Sequence, residues 1–368
     1  MKRVFVVSAL GVLVAGVCLV SARAQTKPPL TKGFVKGAVE LQSIGAISFG
    51  PGGLLAIADP KAGAVICVET GDVKADSARQ TNVANVDAVL AARLGAPAAG
   101  IRINDMQANP VSGVVYFSVT KLDDQKSALM KIDRAGGAHV VALDSVSHGR
   151  VALSTKEGVR LTSITDLEFG KSRVIVAAQA TEEFGSKVYT IPLPFAHGGS
   201  ADVFSTETFH VSHNRLETRA PISTLTSYND GKQDVVVGAF ACTPVVKYPV
   251  NQLGPDAKVR GTAVVELGSR NRPLDLFFYK RDGKEWLLVS NNNHGVLKVT
   301  AAVFQETERV DEKALHRKRE GANFPPMEGV EVISALQGTI EMSKLDESRL
   351  VVLRNAGAGL TLEVAPLP

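Results

Sequence analysis

The sequence predicts an all-β protein, a six-bladed β-propeller with short helical insertions, on three observations. A unit of short strand, polar turn, strongly apolar strand, polar loop and alternating strand recurs six times. Every copy is rich in β-branched residues and carries Gly, Asn, Asp or Pro in its turns. No linker-like stretch separates the copies. A lone unit cannot bury both faces of its sheet, so the units must stack. Six of them around an axis form a ring that leaves few open edges.

Taken in order, the chain first shows "MKRVFVVSALGVLVAGVCLVSARAQ". Lys2 and Arg3 form a basic start, Val4 to Val20 is almost wholly apolar, and Ala22-Arg23-Ala24 reads as a peptidase site. Residues 1–24 are therefore expected to be a secretory signal, with residues 25–368 a single exported propeller, periplasmic or secreted. No later stretch is long and apolar enough to span a bilayer as a helix. The segment Phe34 to Gln42 precedes the first unit and has no partner of its own. It is expected to pair with the C-terminal blade and close the ring.

The units begin at Ala46, Asp105, Asp166, Leu225, Asp275 and Ile340. Their spacing suits four-stranded blades with ornamented loops. Between the first two, "NVDAVLAARLG" has Asn85 placed to cap, apolar residues at helical spacing and Gly95 to stop, which predicts a short helix. Between the last two, "TERVDEKALHRKREG" is charged and reads as a solvated helix or loop, its basic run from His316 to Arg319 included.

Charge excludes some partners. The whole chain has 41 basic and 37 acidic residues. Lys2, Arg3 and Arg23 fall in the signal, which leaves 38 against 37, a net +1. Nothing here points to nucleic acid. Of three cysteines, Cys18 leaves with the signal, and Cys67 and Cys242 lie on well-separated blades. There is no C-x-x-C-H, so no c-type haem attachment is encoded.

In a propeller the loop between the second and third strands of each blade shares a rim with the loop entering each inner strand. That rim should gather Asp59, Glu182, Glu183, Cys242, Thr243, Arg270, Arg272, Asp275, and the run Asn291, Asn292, Asn293 and His294. Arg272, Asp275, Asn292 and His294 are expected to border one polar pocket. Arg219, in "FHVSHNRLETRAP", is expected to pair with Glu217 and tie that connection to the rim. His210 and His213 stand three apart. In an extended connection they would point to opposite faces, and no metal could take both. Loops on a rigid ring are where binding sites are built, so the rim predicts a small-ligand or protein partner.

The stretches "INDMQANPVSGVVYFSV", "EEFGSKVYTIPLPF", "CTPVVKYPV" and "ELGSRNRPLDLFFYKRDGKEWLLVSNNNHGVLK" resemble a group of secreted bacterial propeller proteins. More distantly the chain is similar to NHL-type propellers and to gluconolactonase-like lactonases. The latter resemblance implies a metal-dependent hydrolase as the alternative to a binding protein. It would hold a divalent cation such as calcium in the channel, with Asp275 and Asn292 as candidate ligands. The N-terminal glutamate of that pattern is missing: Ile44-Gly45-Ala46 stands in its place.

Overall fold

The second strand of each blade reads as a continuous apolar run because it is covered on both sheet faces. Leu54–Asp59 is buried at every residue, and Val235–Phe240 is buried throughout. The computed structural model describes Met1 and residues 29–368, apart from 76–81, 211–212, 242–243, 269, 306–328 and 356. The expected signal, the charged insertion before the last blade, Cys242 and Thr243 fall wholly or mainly outside the described residues.

The chain is a six-bladed β-propeller. The inner strands are Ile47–Phe49, Ile101–Ala108, Leu161–Phe169, Ile222–Asn229, Pro273–Arg281 and Thr339–Lys344, one for each blade in chain order. Antiparallel pairing carries each sheet outward from its inner strand. Alternation along the second strands decides which blade each residue meets. Leu54, Ala56 and Ala58 pack with Val174 and Val176 of the third blade, while Leu55 and Ile57 pack with Tyr116 and Leu129 of the second. Six apolar clusters of this kind join neighbouring blades in pairs.

Those clusters fix a ring order that differs from chain order. The first blade lies between the second and the third, and the second lies against the sixth. The first two blades have exchanged places. The reason is visible in the strand path. After three strands of the first blade the chain leaves at Glu69 and builds all four strands of the second. It then returns as Val146–Ala152 to supply the fourth strand of the first blade. Only then does the third blade begin.

This path corrects the expected closure. Val35–Gly37 pairs antiparallel with Val146–His148 at the outer edge of the first blade, not with the C-terminal blade. That edge needed a partner because Val146–Ala152 is the outermost strand there. The last blade has three strands, Thr339–Lys344, Arg349–Asn355 and Leu360–Pro366. Its outer edge is met instead by Val83: Val83 N–H and Leu362 N–H each donate to the other's carbonyl at 2.9 Å. Asn82 Oδ1 adds a bond from Val364 N–H. The predicted helix follows directly, Val86–Arg93, and inserts Val86, Leu90 and Ala91 between the second and sixth blades. Gly95 (φ +67°) ends it in the left-handed region as expected. Asn85 does not cap through its side chain. It is itself left-handed at φ 51°, where the chain turns from its bridge to Leu362.

Candidate functional site: the carboxylate-lined channel

Five inner strands carry a β-bulge near their start, between Ile103 and Asp105, Ile164 and Asp166, Ile222 and Thr224, Pro273 and Asp275, and Thr339 and Glu341. A bulge re-aims the side chain that follows it. The residue after the bulge is Asp in the second, third and fifth blades, Thr224 in the fourth and Glu341 in the sixth. Ala46 holds the matching place in the first.

The three aspartates act alike. Each accepts from the next backbone N–H of its own strand and from one N–H of the adjacent inner strand. Asp105 takes Met106 and Ile47, both at 2.6 Å. Asp166 takes Leu167 at 2.8 Å and Leu225 at 2.7 Å. Asp275 takes Leu276 and Met342, both at 2.7 Å. In ring order the blades alternate strictly between giving and receiving such a carboxylate. Ala46 and Thr224 stand in two receiving blades, and neither brings a charge.

Glu341 stands in the third receiving blade. Its carboxylate has no hydrogen bond or ion pair among the described residues, yet it faces the charges of Asp275, Asp105 and Asp166. Burial raises its pKa well above the usual carboxylate range, and those three like charges raise it further. Asp275 is raised in the same way, first by burial and then by Asp105. Burial with the charge of Asp166 pushes Asp105 up to about 7, against the pull of its two backbone bonds. Burial pushes Asp166 to about 6 and Glu168 to about 7. Among the described residues no cation contributes to the shift of any of these carboxyl groups.

Glu168 accepts from Ser227 N–H and Ser227 Oγ–H, a further tie from the third blade to the fourth. It borders a channel cavity of about 210 Å³, with Asp166, Asp275, Gln107 and Ser343. Lys344 also lines that cavity but pairs with Glu347 at 2.7 Å. A larger hollow of about 400 Å³ lies elsewhere, at the turns Gly170–Arg173 and Tyr228–Gly231, and does not reach Asp275; Glu341 lines neither hollow and precedes Met342 and Ser343 of the channel cavity on the same strand.

The predicted rim residues are placed as follows. Asn291 Oδ1 accepts from the N–H groups of Asn293 and His294, both at 3.0 Å, which builds the turn that Gly295 (φ +76°) completes. Asn292 Oδ1 accepts from Arg272 N–H at 2.7 Å, and Asn292 N–H donates back to Arg272 carbonyl at 3.1 Å. Asn293 Nδ2 donates to Arg270 carbonyl at 2.9 Å. The two loops of the fifth blade therefore do meet on one rim, zipped through amides. Asp275 sits inside that rim in register with Ser290. Asp59 is fully buried and binds Gln42 N–H, Ser43 N–H, Ser43 Oγ and Ala62 N–H, so it fastens the incoming segment. Glu182 pairs with Lys187 at 2.5 Å, and the carbonyl of Glu183 receives Thr218 Oγ1. Gln179 Nε2 donates to the carbonyl of Arg219 at 2.7 Å.

Two expectations about the His210 connection are corrected. Glu217 pairs with Arg215 at 2.9 Å, the residue two before it on the same short strand, rather than with Arg219. His210 and His213 do not point apart. The chain turns back so that His210 pairs with Arg215, and the two rings stack 5.8 Å apart.

The donor set implied by a lactonase-like metal site does not fit. Both oxygens of Asp275 already receive backbone N–H groups, Asn292 is spent on Arg272, and Ala46 occupies the place of an N-terminal acid. Repeat alignment puts Asp105, Asp166 and Glu341 at one level with Asp275. That alignment is the signal that could have singled them out: in the sequence Asp105 and Asp166 stand out only as unit starts, and Glu341 as one acid of the last unit.

No family model matches the chain, and no curated protein matches it in sequence. Solved structures with similar architecture include a streptogramin B lyase, at 9% identity and TM-score 0.34, covering 91% of this chain and 97% of that one. A luciferin-regenerating enzyme gives 10% identity and TM-score 0.34, covering 91% and 96%. A PQQ-bound aldose sugar dehydrogenase from Streptomyces coelicolor gives 11% identity and TM-score 0.33, covering 92% and 100%. Identities and scores of this size carry nothing about chemistry.

Proposed function

We propose that the chain is an exported binding propeller whose channel takes a small cationic ligand, with Glu341 as the group that receives it. One observation carries this reading. Three of the four charges at that level are explained by the backbone N–H groups they hold, and among the described residues the fourth is not. Glu341 is half-buried, and a desolvated carboxylate among like charges is unfavourable unless it is protonated or met by a cation. A cation bound there is attracted by Glu341 and by the field of three fixed aspartates, whose positions need no rearrangement. The rim turn Asn291–His294 and the loop Arg270–Arg272 hold the mouth in shape. Export rests on the basic start, apolar run and A-x-A site of residues 1–24.

The test is thermal unfolding of untagged protein lacking residues 1–24, titrated separately with calcium, magnesium and spermidine. Saturable stabilisation by one of them is expected, with the response lost in Glu341→Gln. A wild-type chain indifferent to all three, or a Glu341→Gln variant that responds equally, contradicts the reading.

A further inference from the structure

We propose that His210, His213 and Glu217 form a binding site for a zinc-class divalent metal on the rim where the third blade meets the fourth. The site is separate from the channel. One ligand atom from each residue can be chosen so that all three lie within 4.8 Å of one another. A metal with nitrogen and oxygen ligands at about 2.0–2.2 Å then needs each atom to move inward by less than about 1 Å. Two imidazoles and a carboxylate are the donor chemistry that zinc takes in sites with an open fourth position.

The local fold explains why these three meet. His210 ends the outer strand Asp202–His210, and Arg215–Glu217 returns antiparallel to it, with His210 opposite Arg215 and Thr208 opposite Glu217. Side chains two apart on a strand share a face, so His210 and Glu217 lie on one side of the hairpin. Asn214, left-handed at φ 52°, helps the chain reverse and bring His213 over the same face. His213 Nδ1 is 2.7 Å from Glu217 Oε1, and His210 Nδ1 is 3.7 Å from Oε2. The carboxylate lies between the two rings, hydrogen-bonded to His213, and a metal would take the place of the proton in that bond.

Access and rigidity are divided usefully. The side chain of His210 is fully buried, with its ring edge-on to Phe240 of the fourth blade at 5.4 Å, which fixes its orientation. Glu217 is 15% exposed and His213 41%, so one side opens to water, the natural fourth ligand. Burial alone would raise the pKa of Glu217. Hydrogen bonds from His213 and Arg215 outweigh it and hold the carboxyl below its usual value. Arg215 Nε lies 2.9 Å from Oε1 and competes with a cation. Its side chain is 71% exposed and free to swing into solvent when a metal enters.

The experiment is calorimetric titration of zinc chloride into untagged protein lacking residues 1–24, after treatment with a chelator. The expected result is one zinc per chain, with affinity reduced at least tenfold in His213→Ala and in Glu217→Gln. Exposed His213 can be replaced without disturbing the core, so loss of binding there is not loss of fold, and unchanged circular dichroism confirms it. Cobalt substituted for zinc should give the visible bands of a four-coordinate nitrogen and oxygen site, absent in His213→Ala. Absence of stoichiometric zinc binding overturns the proposal. So does binding unchanged in both variants, or binding abolished by Glu341→Gln instead, which would place the metal in the channel.

Discussion

Asp275 and Glu341 sit on adjacent blades at the same level of the channel, and they differ in what their oxygens do. Asp275 holds Leu276 and Met342 by their backbone N–H groups; Glu341 holds nothing among the described residues. Both carboxyl groups have raised pKa values, and burial is the first cause in each. A shifted pKa therefore does not distinguish a functional acid from a structural one in this channel. The hydrogen bonds do. A carboxylate that ties two inner strands offsets its burial with charge-assisted bonds. One that makes no bond leaves its burial uncompensated until a ligand arrives.

The largest expected effect comes from removing the tie. Asp275→Ala leaves two backbone N–H groups without an acceptor, at a cost of about 3 kcal/mol in urea unfolding. Asp275→Asn keeps one acceptor oxygen and should lose less. If Asp275→Ala were as stable as wild type, the distinction between the two carboxylates would fail on the structural side.

A second contrast sharpens the account of closure. Val83 is 9% exposed and bridges the last blade, whereas Val35 is 45% exposed on the outer edge of the first. Val83→Asp should cost about 2 kcal/mol by burying a charge in the cluster shared by the second and sixth blades. Val35→Asp should stay within about 0.5 kcal/mol. The reverse ranking, read from denaturation midpoints, would restore closure through the N-terminal segment.

A smaller loss than at Asp275 or Val83 belongs to the rim. Asn292→Ala removes the acceptor for Arg272 N–H at an exposed position, and about 1 kcal/mol should be lost. A change of several kcal/mol would mean that the turn does more than fasten two loops.

Six repeats, their turns and the short helix were legible because each rests on local pattern: alternation, β-branched residues, Gly95 in its left-handed place. Ring order was not legible. Val146–Ala152 has the alternation of any outer strand, and nothing local says that it belongs to the first blade rather than the second. The rim's amide run stood out as a cluster of polar letters, yet Asn291 only builds its own turn and Asn292 fastens the neighbouring loop at Arg272. Glu341 was hidden in "IEMSKL", where a single acid in an alternating strand looks like a solvent-facing residue. Only the bulge before it and the three aspartates around it make it unusual. The His210 site was misjudged for a related reason. Spacing along an extended chain sends His210 and His213 apart, but the reversal at Asn214 brings them back.

The pH dependence of stability, compared between wild type and Glu341→Gln without added cations, tests the central distinction most directly. Glu341 has a folded pKa raised above its unfolded value of about 4.3, so its contribution to stability is full below that pH and is lost as pH rises toward the folded value. Glutamine has no such loss. The two proteins should be nearly equal at pH 4, with the variant pulling ahead as pH rises and measurably the more stable at pH 7. A variant less stable than wild type at pH 7 would show that Glu341 is one more tie between blades, and the channel would have no carboxylate left for a ligand.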